Sequence, residues 1–140
     1  MRMRSTRGPD CLISGGEPVV HLVPENQRGR GGRNQQLVLA ALSHLQQHRQ
    51  ASGICLLSAG TDGEDGPTDA AGAWLDEEVL SVARQLGLDA HDALERNDAY
   101  PFFAACGGLF KTGRTDTNVC DLRVVVVDRQ ELSGAPPRIT

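Results

Sequence analysis

The feature that most constrains this chain is a short apolar run that ends in a charged loop. Ile54-Cys55-Leu56-Leu57-Ser58-Ala59 is bounded by turn residues and reads as a buried strand. Gly60-Thr61-Asp62-Gly63-Glu64-Asp65-Gly66-Pro67-Thr68-Asp69 follows at once, with four acidic side chains and three glycines. Such a loop adds little to a core, and solvated loops carry binding residues more often than packing residues. In open α/β sheets ligands bind at the carboxyl ends of strands. The alternative is a tight surface turn, in which glycines take positive φ and aspartates bond nearby amides. The alanine-rich stretch Ala70-Ala71-Gly72-Ala73-Trp74 beyond it is compatible with the start of a helix.

Upstream, Cys11-Leu12-Ile13-Ser14 and Val19-Val20-His21-Leu22-Val23 predict two short strands joined by a turn at Gly15-Gly16-Glu17-Pro18. From Asn34, a suitable cap, the spacing becomes helical, with Leu37, Val38, Ala41, Leu42 and Leu45 on one face. Strand, helix and the strand at 54–59 give the order of an α/β domain. Farther on, Asp76 can cap a helix whose apolar side is Val79, Leu80, Val82, Ala83 and Leu86, with Gly87 as its stop. A third helix is predicted over 89–96, and a fourth over 99–106 with Pro101 in its first turn. Leu109-Phe110-Lys111-Thr112 predicts a short strand and 113–118 a loop. Leu122-Arg123-Val124-Val125-Val126-Val127 alternates so little that burial on both faces is expected. The fold class is therefore α/β: one domain with a mixed, mostly parallel sheet flanked by helices. It should span 11–128, after a disordered or truncated start at 1–10 and before a frayed tail at 129–140.

With 140 residues the chain can bury a real core. Its net charge of −4 argues against bulk nucleic-acid binding, which needs a positive footprint. No stretch approaches the ~20 apolar residues of a membrane span, and Gly8-Pro9-Asp10 stands where a signal peptide would be apolar. Cys11, Cys55, Cys106 and Cys120 form no C-x-x-C pair, so they read as reduced thiols of a cytoplasmic protein. His21, His44, His48 and His91 offer no set of Cys and His ligands that would complete a zinc site.

Three segments could carry chemistry. Gly29-Arg30-Gly31-Gly32-Arg33-Asn34 enters the first helix, where close backbone approach, open N–H groups and the helix dipole favour an anion. Its arginines add forked donors for phosphate or carboxylate, although a flexible basic loop is the plainer alternative. In the acidic loop, Asp62, Asp65 and Asp69 could hold a hard cation such as Mg²⁺, accept a proton, or simply fix the loop. Thr112-Gly113-Arg114-Thr115-Asp116-Thr117-Asn118 could form a nest for an anionic or sugar-like ligand, or a turn whose threonines bond their own backbone. No G-x-G-x-x-G follows a strand, so a dinucleotide site has no support.

Taken in order, these segments resemble one family. Ser14-Gly15-Gly16-Glu17-Pro18, Gly31-Gly32-Arg33-Asn34-Gln35, Ser58-Ala59-Gly60-Thr61-Asp62-Gly63 and Asp65-Gly66-Pro67-Thr68-Asp69-Ala70-Ala71-Gly72-Ala73 carry the likeness. Asn97-Asp98, Phe102-Phe103, Thr112-Gly113, Thr115 and Thr117-Asn118-Val119 continue it. The chain is similar to the C-terminal MOFRL domain of class II glycerate kinases, the glycerate 2-kinases, some of which have been labelled hydroxypyruvate reductases. The resemblance covers about residues 11–128. It implies ATP- and Mg²⁺-dependent phosphorylation of D-glycerate to 2-phosphoglycerate, in a cleft shared with an N-terminal Rossmann-like domain that this chain lacks. Half a cleft implies inactivity alone, since phosphoryl transfer depends on positioning and charge stabilisation.

Within that resemblance, Arg33 with Arg30 would clamp a carboxylate or phosphate beside Gly31 and Gly32, and Asn34 would cap and orient. Asp62 and Asp65 would bind Mg²⁺, position substrate hydroxyls or act as base. Thr61, Thr115, Thr117 and Asn118 would line the same cleft. Three positions depart from the family pattern: Asp116 for glycine, Gln36 for glutamate and Cys120 for asparagine. A free-standing anion- or nucleotide-binding module, or a degraded fragment without catalysis, is the alternative reading and a hydroxypyruvate reductase the third; a homodimer is compatible with either of the first two.

Overall fold

The computed structural model describes residues 10–48 and 52–128, so segment 1–9 and tail 129–140 lie outside the described residues. Five strands and four helices follow in the order β1 (Cys11–Gly16), α1 (Arg33–His48), β2 (Ile54–Gly60), β3 (Gly72–Leu75), α2 (Glu77–Gln85), α3 (Ala90–Glu95), α4 (Ala99–Cys106), β4 (Leu109–Phe110) and β5 (Asp121–Val127). No helix among the described residues is long and apolar enough to cross a membrane.

The strands form one sheet in the order β1-β5-β2-β3-β4, and every neighbouring pair is antiparallel. This corrects the expectation of a mostly parallel sheet, and the reason is local to one strand. The β1–α1–β2 crossover does leave β1 and β2 pointing the same way, as strand–helix–strand order requires. Strand β5, running oppositely, lies between them and pairs with both. Cys11 faces Val126, 115 positions away in the chain, a partnership that no local pattern announces.

Helix α1 crosses the sheet with Val38, Leu39, Leu42 and Leu45 buried, packed with Ile54, Leu56 and Leu75 of the strands. Burying each of these side chains contributes about 1.5–3 kcal/mol. Helices α2 to α4 close the same core through Val79, Leu80, Ala83, Ala93, Phe102 and Phe103. Asp76 caps α2 by accepting the Val79 N–H at 2.9 Å, as its position predicts. The opposite sheet face carries no helix among the described residues: Ile13 is 64% exposed, Val126 44% and Leu122 39%. Burial of β5 on both faces is therefore corrected to burial on one, which antiparallel sheets permit.

Two other local expectations give way to pairing. The alanine-rich stretch becomes β3, because Gly72 lies so close to the Ser58 carbonyl that a Cβ would collide with it, and both edges of β3 find partners. The strand predicted at 19–23 does not form. Instead β1 continues through Gly15 and Gly16 opposite Leu122 and Asp121, and residues 17–23 run on as an irregular strap.

Candidate functional site

The N-terminus of α1 is held from outside the helix. Its cap is Asp65 of the acidic loop, not Asn34, which lies inside the helix. Asp65 is 3% exposed; its Oδ1 accepts the Asn34 N–H at 3.0 Å and the Asn34 Nδ2 at 3.2 Å, and its Oδ2 accepts the Gln35 N–H at 2.9 Å. A carboxylate here satisfies orphan amides and meets the positive end of the helix dipole. Burial pushes the Asp65 carboxyl above the ordinary range, against the downward pull of those N–H groups. Asn34 also accepts the Ser58 hydroxyl at 2.6 Å, tying helix and loop to β2. The closeness depends on Gly32, where a Cβ would overlap Asp65 itself.

At the first residue of the helix, Arg33 forks onto Asp121, with Nε to Oδ2 at 2.7 Å and Nη2 to Oδ1 at 2.9 Å. Its remaining Nη1 meets Glu17 at 3.1 Å. The Asp121 hydrogen bonds hold the guanidinium firmly protonated. Burial opposes the Asp121 carboxylate, but the Arg33 bonds prevail and set its pKa below the ordinary value. Beside this pair opens a pocket of about 610 Å³, walled by Glu17, Val19, Arg28, Gly31, Gly32, Arg33, Gln36 and Pro67. Among the described residues no acceptor takes the N–H of Gly31, Gly32 or Arg33.

Asn97 and Asp98 shape this pocket from behind. Asn97, at φ 51°, accepts the Val23 N–H at 2.9 Å and donates to the His21 carbonyl at 3.3 Å, pinning the strap. Asp98 accepts the Arg30 N–H at 2.9 Å, fixing the glycine loop. Arg30 itself turns away: its guanidinium stacks 4.3 Å above the Tyr100 ring and its Nε bonds the Pro67 carbonyl at 3.3 Å. Tyr100 and Lys111 both bond Asp69, at 2.7 and 2.8 Å, so Asp69 ties α4 to the strand end.

The other end of the acidic loop borders a second depression, of about 410 Å³, lined by Asp62, Glu64, Arg114, Asp116, Thr117 and Asn118. Asp62 accepts the Glu64 N–H and the Asn118 Nδ2, each at 3.1 Å. Thr61 donates to the Cys120 carbonyl at 2.7 Å, and the Thr115 hydroxyl bonds the Thr61 carbonyl, so both hydroxyls join loop to loop. Gly63 is required here: at φ 88°, its Cβ would strike the Gly113 carbonyl. Among the described residues no three His, Cys, Asp or Glu side chains group to hold a metal.

A family model described as the MOFRL family matches residues 10–121. The chain belongs to the MOFRL family. It is 46% identical over 123 residues to a human glycerate kinase, covering 85% of this chain and 23% of that protein. It is 43% identical over 124 residues to a Thermotoga maritima D-glycerate 2-kinase, covering 89% and 28%. A crystal structure of a Thermotoga maritima glycerate kinase superposes with a TM-score of 0.73 at 41% identity, over 84% of this chain and 27% of that one. The chain thus spans about a quarter of the length of these relatives.

In this MOFRL domain the residues singled out from sequence divide between two sites. Gly31, Gly32 and Arg33 border the larger pocket, while Asp62, Thr117 and Asn118 border the smaller, with Thr61 and Thr115 bracing its rim. Asn34 and Asp65 lie beneath as the helix anchor. The acidic loop links the two, since Gly66 and Pro67 line the larger pocket and Asp62 and Glu64 the smaller. Arg28, Glu17 and Asp121 were given no site role, and Gln36 was noted only as a departure from the family pattern. Gln36 was the most findable, three residues after Arg33 and so on the same helix face; Asp121 pairs across 88 positions and gives no local signal.

Proposed function

We propose that this chain is the MOFRL domain of a glycerate 2-kinase and supplies half of the cleft in which ATP phosphorylates D-glycerate to 2-phosphoglycerate. The observation that carries the reading is the pocket at the start of α1, which Arg28 and Arg33 border and where the N–H groups of Gly31, Gly32 and Arg33 have no acceptor among the described residues. That equipment suits a small carboxylate or a phosphate. Glu17 occupies the outer edge of Arg33, so an arriving anion takes its place and Asp121 keeps the fork aligned. Arg28 replaces Arg30 as the second cation on the wall.

The fit to Mg²⁺ is unequal for the two aspartates. Asp65 is saturated by N–H donors and sealed from solvent, so neither metal binding nor proton abstraction suits it. Asp62 faces open space beside Glu64, and one such carboxylate can share the ion with phosphate oxygens and water. Bound there, Mg²⁺ would neutralise charge on the transferring phosphoryl group. Asp62 would also hold a substrate hydroxyl in line, or take its proton. An N-terminal Rossmann-like domain would close the cleft and exclude water.

A coupled assay of D-glycerate phosphorylation by ATP tests this, with the chain alone and with a relative's N-terminal domain added. Activity only on addition supports a complementing half. Silence in both, with the chain folded, would leave an anion-binding module without catalysis. In an intact two-domain enzyme, Arg33→Ala should lower kcat/KM at least about tenfold, the scale of one lost charged hydrogen bond.

A further inference from the structure

Helix α1 holds one side chain whose amide has no partner among the described residues. Gln36 is 5% exposed, and neither its Nε2 nor its Oε1 makes a hydrogen bond. Burying an amide unpaired forfeits its water and returns nothing, so its presence in a folded protein calls for a reason. The neighbouring Gln35 at least donates to the Thr68 hydroxyl at 3.0 Å. For Gln36 the nearby candidates are engaged elsewhere: Arg33 by two carboxylates, Asn97 by the strap. Gln36 forms wall both in the 610 Å³ pocket and in a cavity of about 370 Å³ that the strap shares with α1.

We infer that Gln36 is the specificity-determining residue of the pocket at the start of α1, its amide reserved for a hydroxyl of a small hydroxylated anion. The anion's charge rests on Arg33, Arg28 and the open N–H groups. This rests on the proposed function, for which D-glycerate is such an anion. An amide both donates and accepts, and so does a hydroxyl, whereas a carboxylate would use only the donor. The terminal torsion of glutamine is broad, so its amide turns toward a ligand at little cost. A site built to bond a hydroxyl discriminates against the analogue that lacks it, because its own polar group is then left unpaired.

The test compares the chain with its Gln36→Met variant in two measurements. Calorimetric titration with D-glycerate, D-lactate, 3-hydroxypropanoate and propanoate reads discrimination. The wild type should prefer D-glycerate over at least one monohydroxy acid by about tenfold, the scale of one hydrogen bond. Gln36→Met should bring that ratio close to one and leave propanoate affinity unchanged. Thermal melting without ligand should show a higher Tm for Gln36→Met, since an unpaired buried amide is gone. A lower Tm would mean that the amide is bonded within the fold, and an unchanged preference would mean that it reads no hydroxyl; either overturns the inference. If preference persists and Arg33→Ala abolishes binding, the inference fails while the kinase reading stands. If the wild type binds none of the four acids, the anion site of the proposed function fails, and this role for Gln36 with it.

Discussion

Asp62 and Asp65 sit three residues apart in one loop and have opposite fates. Asp65 points inward and spends both carboxylate oxygens on helix amides, whereas among the described residues the Asp62 carboxylate accepts from Glu64 and Asn118 alone and borders an open depression. Sequence gave them the same chemistry because both are acidic and both follow a strand. What separates them is Gly32: lacking a Cβ, it lets the helix start close down on one aspartate and not the other. A buried carboxylate with both oxygens committed to helix N–H groups is part of the scaffold, and an exposed one beside free volume is available for a ligand.

The comparison can be broken most directly at Asp65. Asp65→Ala should destabilise the chain by about 3 kcal/mol, combining a lost cap with buried N–H groups left unpaired. Stability equal to wild type in denaturant titration would show that Asp65 does not anchor α1. Next in size is Asp121. Asp121→Asn should cost about 1–2 kcal/mol, less than a fully buried pair because Arg33 is part exposed. Folding lowers the Asp121 pKa, so its stabilisation is complete above the unfolded value near 3.9 and fades as pH falls through the folded value. Asp65 runs the other way: its raised pKa gives stability that is complete below the unfolded value and declines as pH rises through the folded one. Acid titration should therefore show a shallower acid limb in Asp121→Asn, and a limb as steep as wild type would contradict the pairing.

Smaller effects sharpen the contrast at the exposed end. Cys120 holds φ 67°, a left-handed conformation that asparagine tolerates better. Cys120→Asn should raise stability by about 0.5 kcal/mol, read as a higher Tm. Asp62→Asn should change stability by no more than about 0.5 kcal/mol. In a two-domain enzyme it should still lower kcat/KM at least about tenfold; an intact rate would remove Asp62 from the site.

What could be read in the sequence was local. The apolar stripe of α1, the cap of α2, the place of α3, and β2 with its bounding turns follow from periodicity and short polar signals. Helix propensity misled at Ala70 to Trp74 because pairing on both edges outweighs the preference of alanine. The mostly parallel sheet was expected because the crossover was legible and the place of β5 between β1 and β2 was not. The glycine loop reads from sequence as a candidate anion cradle, but only the structure assigns Arg28 to its wall and turns Arg30 onto Tyr100. Asp116 illustrates a departure with a physical reading: at φ 56° it stands where glycine is at ease, and aspartate is among the residues that can follow.

The position of β5 also governs how the domain can be assembled. The strand synthesised last of the five lies second in the sheet, and among the described residues β1 pairs with nothing else. During synthesis β1 must wait, unpaired, until nearly the whole domain has emerged. Closing that distant pairing is a slow step that leaves strand edges open to other chains. A stop codon or proteolytic cut just before residue 121 would therefore do more than trim an edge. It would leave β1 without a partner and Arg33 without Asp121, so the larger pocket can complete only after the final strand is in place.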